Sequence, residues 1–281
     1  MIDFTVGGLT VRLAGGSGAP ARELEELEMA RALVERFGGF VSAPGTAAAD
    51  VTLDVSVAGD FSSEFHLESA ELSLRIATAR DGGRVILDGA SHGWFDAGAG
   101  RGALTGATHL GEVDALVRLA LAMSLPRRGA LLMHGAAVAL DEPSGSVTVL
   151  VGASGTGKST AAAALGAGLG DELIVLHPSD DGLEASATPY WFGAPARRRV
   201  ARLVCLARGG GGARTRLTGG AALRSVAPHL VRYVVDGEGD RAAFTLLATA
   251  CSHVVVERFD CPEGAAFVPF LRAALAEEPS P

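Results

Sequence analysis

Nine consecutive residues, Gly152-Ala-Ser-Gly-Thr-Gly-Lys-Ser-Thr160, constrain this chain more than any other feature. They follow Val147-Thr-Val-Leu-Val151, a run with strand character, and precede Ala161 to Leu165, which are strong helix formers. Strand, glycine-rich loop and helix in that order give a P-loop match its physical meaning. Gly152, Gly155 and Gly157 let the backbone curl until successive N–H groups form an anion nest, and the following helix adds the positive end of its dipole. The stretch Gly152, Ala153, Ser154, Gly155, Thr156, Gly157, Lys158, Ser159 and Thr160 is therefore expected to cradle the phosphates of a nucleoside triphosphate, with ATP and Mg²⁺ as the expected ligands. Lys158 should reach the β- and γ-phosphates, and the Ser159 hydroxyl should complete the shell of Mg²⁺.

Composition reinforces the loop. Of 24 basic residues, Lys158 is the single lysine; arginine serves everywhere else. A compact ammonium fits a phosphate cradle where a planar guanidinium is too wide. The formal net charge of -8 disfavours nonspecific binding to nucleic acid or to an anionic membrane, since both would repel the average charge. Residues Met1 to Leu13 lack a basic region followed by a long apolar core, and Leu116 to Met123 is far too short to span a membrane. A cytoplasmic location is the expectation. Cys205, Cys251 and Cys261 are widely spaced without a Cys-x-x-Cys pair, which fits reduced thiols. His253 follows Cys251 on an expected strand, a poor start for a zinc site.

Along the chain, Phe4 to Ala14 reads as two short strands around Gly7-Gly8, and Ala21 to Phe37 as a helix ended by Gly38-Gly39. Val51 to Val57, Glu71 to Ala77 and Arg84 to Leu87 have strand character. His66, His92 and Trp94 form no evident constellation, with His92 expected in a turn beside Gly93. Gly98 to Gly106 reads as a linker or mobile loop, and Glu112 to Met123 as an amphipathic helix. These signals give an α/β chain in which a small α+β domain over residues 1–105 precedes a P-loop domain over residues 106–281. In the second part Ala130 to Leu140 reads as an apolar strand and Asp141 to Gly145 as a hairpin-like turn. The strand bearing His134 is thus expected to run antiparallel to the one entering the P-loop.

A P-loop site needs a further carboxylate to orient the metal or the attacking hydroxyl. Asp180 follows the apolar run Leu173-Ile-Val-Leu176, yet Asp180-Asp181-Gly182 is also a favoured turn composition. Asp171-Glu172 stands just before the same run. Spacing does not decide between them.

Residues 131–176 resemble the catalytic domain of HPr kinase/phosphorylase, and more closely the smaller HPr-kinase-related proteins, whose P-loop domain is similar to that of phosphoenolpyruvate carboxykinase. The resemblance rests on His134-Gly135, the short connection to Val147–Val151, the loop itself, and Gly170-Asp171-Glu172 before Leu173–Leu176. It implies a mixed-sheet domain of the HPr kinase C-terminal type. It also implies a catalytic carboxylate at Asp171, with Asp171 and Glu172 joining Ser159 at the metal and His134 beside the phosphates. Val200 to Leu206, a helix near Ala221 to Leu230, a strand around Val254 to Val256 and a helix over Ala265 to Ala276 follow the family's order.

The chain also departs from the bifunctional enzyme. Ala153 and Thr160 stand where that enzyme carries acidic residues, Glu172 replaces an aspartate, and Arg208-Gly-Gly-Gly-Gly-Ala-Arg214 stands where a glutamate-arginine-glycine signature is found. The expected activity is transfer of the γ-phosphoryl group of ATP to a hydroxyl, on a peptide or protein serine or on a small molecule. The alternative is a regulatory ATP-binding module or an ATPase. Arg197, Arg198 and Arg199 follow Pro195 in an expected loop, as a solvated charge run, or clamping an acidic substrate or approaching the phosphates.

Overall fold

The computed structural model describes residues 1–15, 23–43, 48–62, 74–78, 84–89, 91–139, 145–165, 168–190 and 195–277. It is an α/β protein with two mixed sheets and six α-helices among the described residues. The chain forms two compact units, residues 1–128 with 232–240 and residues 129–231 with 241–281. Residues 141–144 of the turn expected over Asp141 to Gly145, His66 and the start of the strand expected from Glu71 lie outside the described residues.

In the first unit, β1 (Ile2–Val6), β2 (Leu9–Gly15), β3 (Val41–Ser42), β4 (Val51–Ser62), β5 (Leu74–Thr78), β6 (Arg84–Gly89), β7 (His92–Asp96) and β8 (Arg101–His109) form one sheet in the order β3-β1-β2-β4-β8-β7-β6-β5. Pairing is antiparallel except for β2–β4 and β4–β8, which are parallel. Helices α1 (Glu23–Phe37) and α2 (Leu110–Ser124) cover the sheet. The alternating burial of β2 matches a sheet with one covered face. Phe37 stacks on Phe4 with ring centroids 4.5 Å apart. Two buried carboxylates of α2 are fully engaged: Asp114 accepts from Arg36 and Arg118, and Glu112 accepts from Ser91 Oγ, Thr108 N and Thr108 Oγ1. The Glu112 bonds satisfy backbone and hydroxyl donors at the helix start, much as a capping box does.

The glycine-rich stretch expected as a linker is instead a turn leading into β8, which pairs with β4 on one edge and β7 on the other. Gly102 explains the composition: a Cβ there would lie 2.8 Å from the Trp94 carbonyl oxygen and 3.0 Å from a Leu53 methyl. Close approach, rather than looseness, demands glycine at that point. The boundary expected at residue 105 consequently falls inside β8, and the compact units divide at 128/129. His92 lies in β7, not in a turn.

The second unit contains β9 (Leu131–Val138), β10 (Val147–Val151), β11 (Gly168–Gly170), β12 (Leu173–Ser179), β13 (Gly182–Ser186), β14 (Arg197–Arg208), β15 (Ala213–Leu217) and β16 (Val255–Cys261). β9 runs antiparallel to β10, as expected, with Gly135 opposite Val151. Its other edge is taken by β11 and β12. β14 is parallel to β10 and β16, while its first residues pair antiparallel with β13. The pairings thereby close a circuit through β10, β9, β12, β13 and β14. Continuous burial along β10 and most of β9 and β12 accounts for their unbroken apolar runs.

Helices α3 (Lys158–Leu165), α4 (Gly219–Val226), α5 (Gly237–His253) and α6 (Phe267–Ala276) accompany these strands. Leu271, Ala274 and Leu275 of α6 share a core with Ala161, Leu150, Val204 and Phe259. Buried Glu257 accepts from Arg202 and Arg214, and Arg202 also donates to the carbonyls of Leu275 and Glu277 at the end of α6. A cation there complements the negative end of the helix.

Two further expectations change. Arg197, Arg198 and Arg199 are not in a loop but open β14, held in register by Ser186, Ala185 and Glu184. Cys251 and His253 close α5 instead of lying on a strand.

His177, on β12, is buried with Nε2 2.8 Å from Ser186 Oγ. Burial first, and then the charge of Arg197, push its pKa from 6.5 to about 4. The unfolded chain therefore takes up a proton near pH 6.5 that the folded chain refuses until about pH 4. The stability contributed by neutral His177 is complete above the unfolded value and falls by roughly 3 kcal/mol as pH drops through this window. His177→Gln is expected to flatten the pH dependence of urea unfolding between pH 7 and 4 by about that amount. A slope unchanged from the parent would remove this role.

Candidate active site

The glycine-rich loop of residues 152–157 begins where β10 leaves the sheet. Thr156 ties the loop across itself, donating from both N and Oγ1 to the Ala153 carbonyl, at 3.2 and 2.8 Å. Gly155 and Gly157 have φ of +76° and +99°, conformations that glycine adopts without steric cost. At Gly157 a second restriction applies, because a Cβ would lie 2.8 Å from the ring of Phe267, the first residue of α6. Ala161 N donates to the Gly157 carbonyl at 2.8 Å and starts the helical ladder of α3. Ala153, Ser154, Gly155, Ser159 and Thr160 are exposed, whereas Thr156 and Lys158 are buried.

Lys158 is 6% exposed, and its Nζ donates to the carbonyls of Gly152 and Ala153 at 2.8 and 3.2 Å. Burial lowers the basicity of the ammonium, opposed by the negative charges of Glu172 and then Asp171. The lysine of the loop and the acidic pair thus occupy one electrostatic neighbourhood, although 12 residues separate Lys158 from its nearer acid in the chain.

Strand pairing explains that meeting. Val151 lies opposite Gly135 on one edge of β9. On the other edge Gly135 N donates to the Glu172 carbonyl at 3.1 Å. At the usual strand spacing, Glu172 stands about 10 Å from Val151, two strands across at the level where the loop begins. Asp171 is buried, and its Oδ1 accepts from Glu172 N at 2.8 Å. Glu172 has φ of +72° and is the non-glycine residue with positive φ among the described residues. A regular strand would point residue 172 to the same face as Gly135 and away from that of His134. The left-handed backbone breaks this alternation, and Glu172 Oε2 lies 3.8 Å from His134 Nε2. Strained backbone of this kind is concentrated at functional sites.

The sequence residues Lys158, Asp171, Glu172 and His134 are therefore brought together. Asp180 and Asp181 are not: they form the exposed tip of the β12–β13 hairpin, where Ser179 pairs with Gly182. Asp180 lies seven residues along β12 from Leu173, roughly 23 Å away at strand rise. Arg197, Arg198 and Arg199 are also remote, because Cys205 is the β14 residue level with Val151. The six residue steps from Arg199 to Cys205 span up to about 20 Å.

One residue of this neighbourhood had no sequence motif. Leu230 bridges Met133 of β9, and Val231 N donates to the Leu132 carbonyl at 2.9 Å. His229, immediately before that bridge, lies near His134. Burial and the charges of Lys158 and His134 lower its pKa to about 4. The Ala-Pro-His stretch at 227–229 marks a turn, but nothing local ties it to β9.

The donor set fits a hard divalent cation held largely by a substrate. Ser159 is exposed at the first turn of α3, and the carboxylates of Asp171 and Glu172 supply oxygen ligands. Among the described residues no group of three or more His, Cys, Asp or Glu side chains forms a metal cluster. Among the same residues no helix is long and apolar enough to cross a membrane. No protein-family model matches the chain, and no curated protein matches it.

The left-handed backbone at Glu172 costs on the order of 1–2 kcal/mol for a residue with a Cβ. Glu172→Gly is expected to melt no lower than the parent, while Glu172→Val should lose several degrees because branching at Cβ worsens the clash. Thermal denaturation of both variants checks the order; a glycine variant markedly less stable than the parent would show that the carboxylate, not the backbone, governs stability here.

Proposed function

We propose that the chain is an ATP-dependent kinase of the HPr-kinase-related type, transferring the γ-phosphoryl group to a hydroxyl, most consistently a serine of a peptide or protein. The observation that carries this reading is the joint environment of buried Lys158 and Asp171 and half-buried Glu172 beside a P-loop-like sequence. A loop that merely bound phosphate would not require an acid pair on a strained turn two strands away.

When bound, ATP supplies the phosphoryl group and Mg²⁺ the countercharge, with Ser159, Asp171 and Glu172 as the metal-holding residues. The N–H groups of residues 152–160 and the ammonium of Lys158 balance negative charge on the phosphates. Asp171, held by the Glu172 N–H, orients the acceptor hydroxyl and receives its proton at the carboxylate. His134 provides a hydrogen bond at the same end of the sheet and shares the Glu172 carboxylate. The exposed arginines that open β14 lie too far from the loop to balance phosphate charge, so a role for them is confined to a long acceptor.

Asp171→Asn keeps the size of the side chain and removes its charge, so ATP binding should persist while phosphoryl transfer drops by about 10²-fold or more. Asp180→Asn should leave both unchanged, since asparagine retains turn hydrogen bonds. Lys158→Ala should weaken ATP binding and turnover together. Transfer of labelled phosphate from ATP to peptides, proteins or a metabolite pool, measured with binding on the same folded samples, separates the possibilities. Normal transfer by Asp171→Asn would remove the assigned acid. ATP binding without transfer to any acceptor would favour a regulatory ATP-binding module or an ATPase.

A further inference from the structure

β10 pairs with β9 only as far as Val151 opposite Gly135, and then turns away into the P-loop. On that same edge the preceding residues of β9 receive a different chain segment: Leu230 bridges Met133, and Val231 N donates to the Leu132 carbonyl. The opposite edge of these β9 residues is already occupied by β12, with Leu173 opposite His134. The returning segment therefore continues the line that β10 vacates, and the residue just before its bridge, His229, arrives beneath the P-loop next to His134.

The charged and titratable groups acting on His229 agree with that placement. Lys158 approaches from α3 and His134 from β9, and both depress its basicity, with burial as the larger cause. Beyond them, Glu172 and Asp171 face Lys158, and Glu172 faces His134. His229 thus enters the site as a neutral imidazole with a hydrogen-bonding edge, amid groups arranged around an anion.

We propose that His229 is a polyphosphate-binding residue, joining Lys158 and His134 around the β- and γ-phosphates of the bound nucleotide. The inference rests on reading the loop as a nucleotide site. A triphosphate placed against His229 favours its protonated form, so nucleotide binding takes up a proton from solution. A residue that only packs the turn against β9 would not change its protonation with the ligand.

Calorimetric titration of the full chain with ATP in excess Mg²⁺, at pH 6, 7 and 8 and in buffers of different ionisation heat, tests this directly. Return of the His229 pKa from about 4 to the ordinary histidine value near 6.5 makes binding about fourfold tighter at pH 6 than at pH 8, with proton uptake in that range. His229→Asn, which keeps a hydrogen-bonding side chain but does not titrate, is expected to lose both the uptake and the pH slope. It should also bind ATP several-fold more weakly at pH 6 while leaving AMP binding at the parental level. A parent that binds ATP without proton uptake overturns the proposal whatever the variant does. So does a variant with parental slope, or one that weakens ATP and AMP equally, which marks a structural residue. A parent that fails to bind ATP at all refutes the nucleotide site itself and this role with it.

Discussion

The second unit depends on the hydrogen-bond ladder of β9. A backbone N–H or C=O buried without a partner is costly, so each stretch of this strand must be paired along both edges. β10 serves one edge until it departs as the P-loop, and the segment around Leu230 and Val231 takes over where it leaves. β11 and β12 serve the other edge, with Asp171 and Glu172 between them. The glycine-rich loop, the acid pair and two histidines come from separate parts of the sequence, and satisfaction of one strand's polar backbone brings them to a common level.

Charge is managed differently in the site and in the core. Glu257, nearly inaccessible, is flanked by Arg202 and Arg214, and Arg202 spends further donors on the last carbonyls of α6. Such a network gains its value by leaving no partner unmatched, since losing one member strands a buried charge. Lys158 is also buried, but it bonds to loop carbonyls and meets its acids electrostatically rather than in a closed pair. The core arrangement closes carboxylate and guanidinium groups directly on one another, whereas the ammonium of Lys158 rests on backbone carbonyls with its acids nearby.

Glu172 adds a backbone contribution. The ladder around it is continuous, since Gly170 faces Ala137 and Leu173 faces His134. The left-handed backbone at residue 172 disturbs the alternation of side chains, and a register shift between Gly168 and Gly170 precedes it. Glycine would relieve this conformation but supply no carboxylate. This part of the sheet therefore keeps a strained residue with a carboxylate where glycine would be the easier choice.

The strand, glycine-rich loop and helix over residues 147–165 were legible because their determinants are contiguous: a branched strand, glycines at short intervals and a helix-forming run. The antiparallel approach of the His134 strand was also legible, since two apolar runs separated by a short polar connection favour a hairpin. Gly98–Gly106 misled because glycine demanded by close packing looks, in sequence, like glycine demanded by flexibility; only the neighbours of Gly102 distinguish the two. Arg197–Arg199 misled similarly, because consecutive charges suit either a loop or the exposed start of a strand whose pairing partner is distant. The choice between Asp171 and Asp180 and the arrival of His229 were beyond local reading. Both flank apolar or turn-like sequence in ordinary ways, and their places follow from which residues face β9. Local composition determined the glycine-rich loop between β10 and α3, whereas strand register decided which acids and histidines lie near it, because register is set by long-range backbone pairing that no single segment contains.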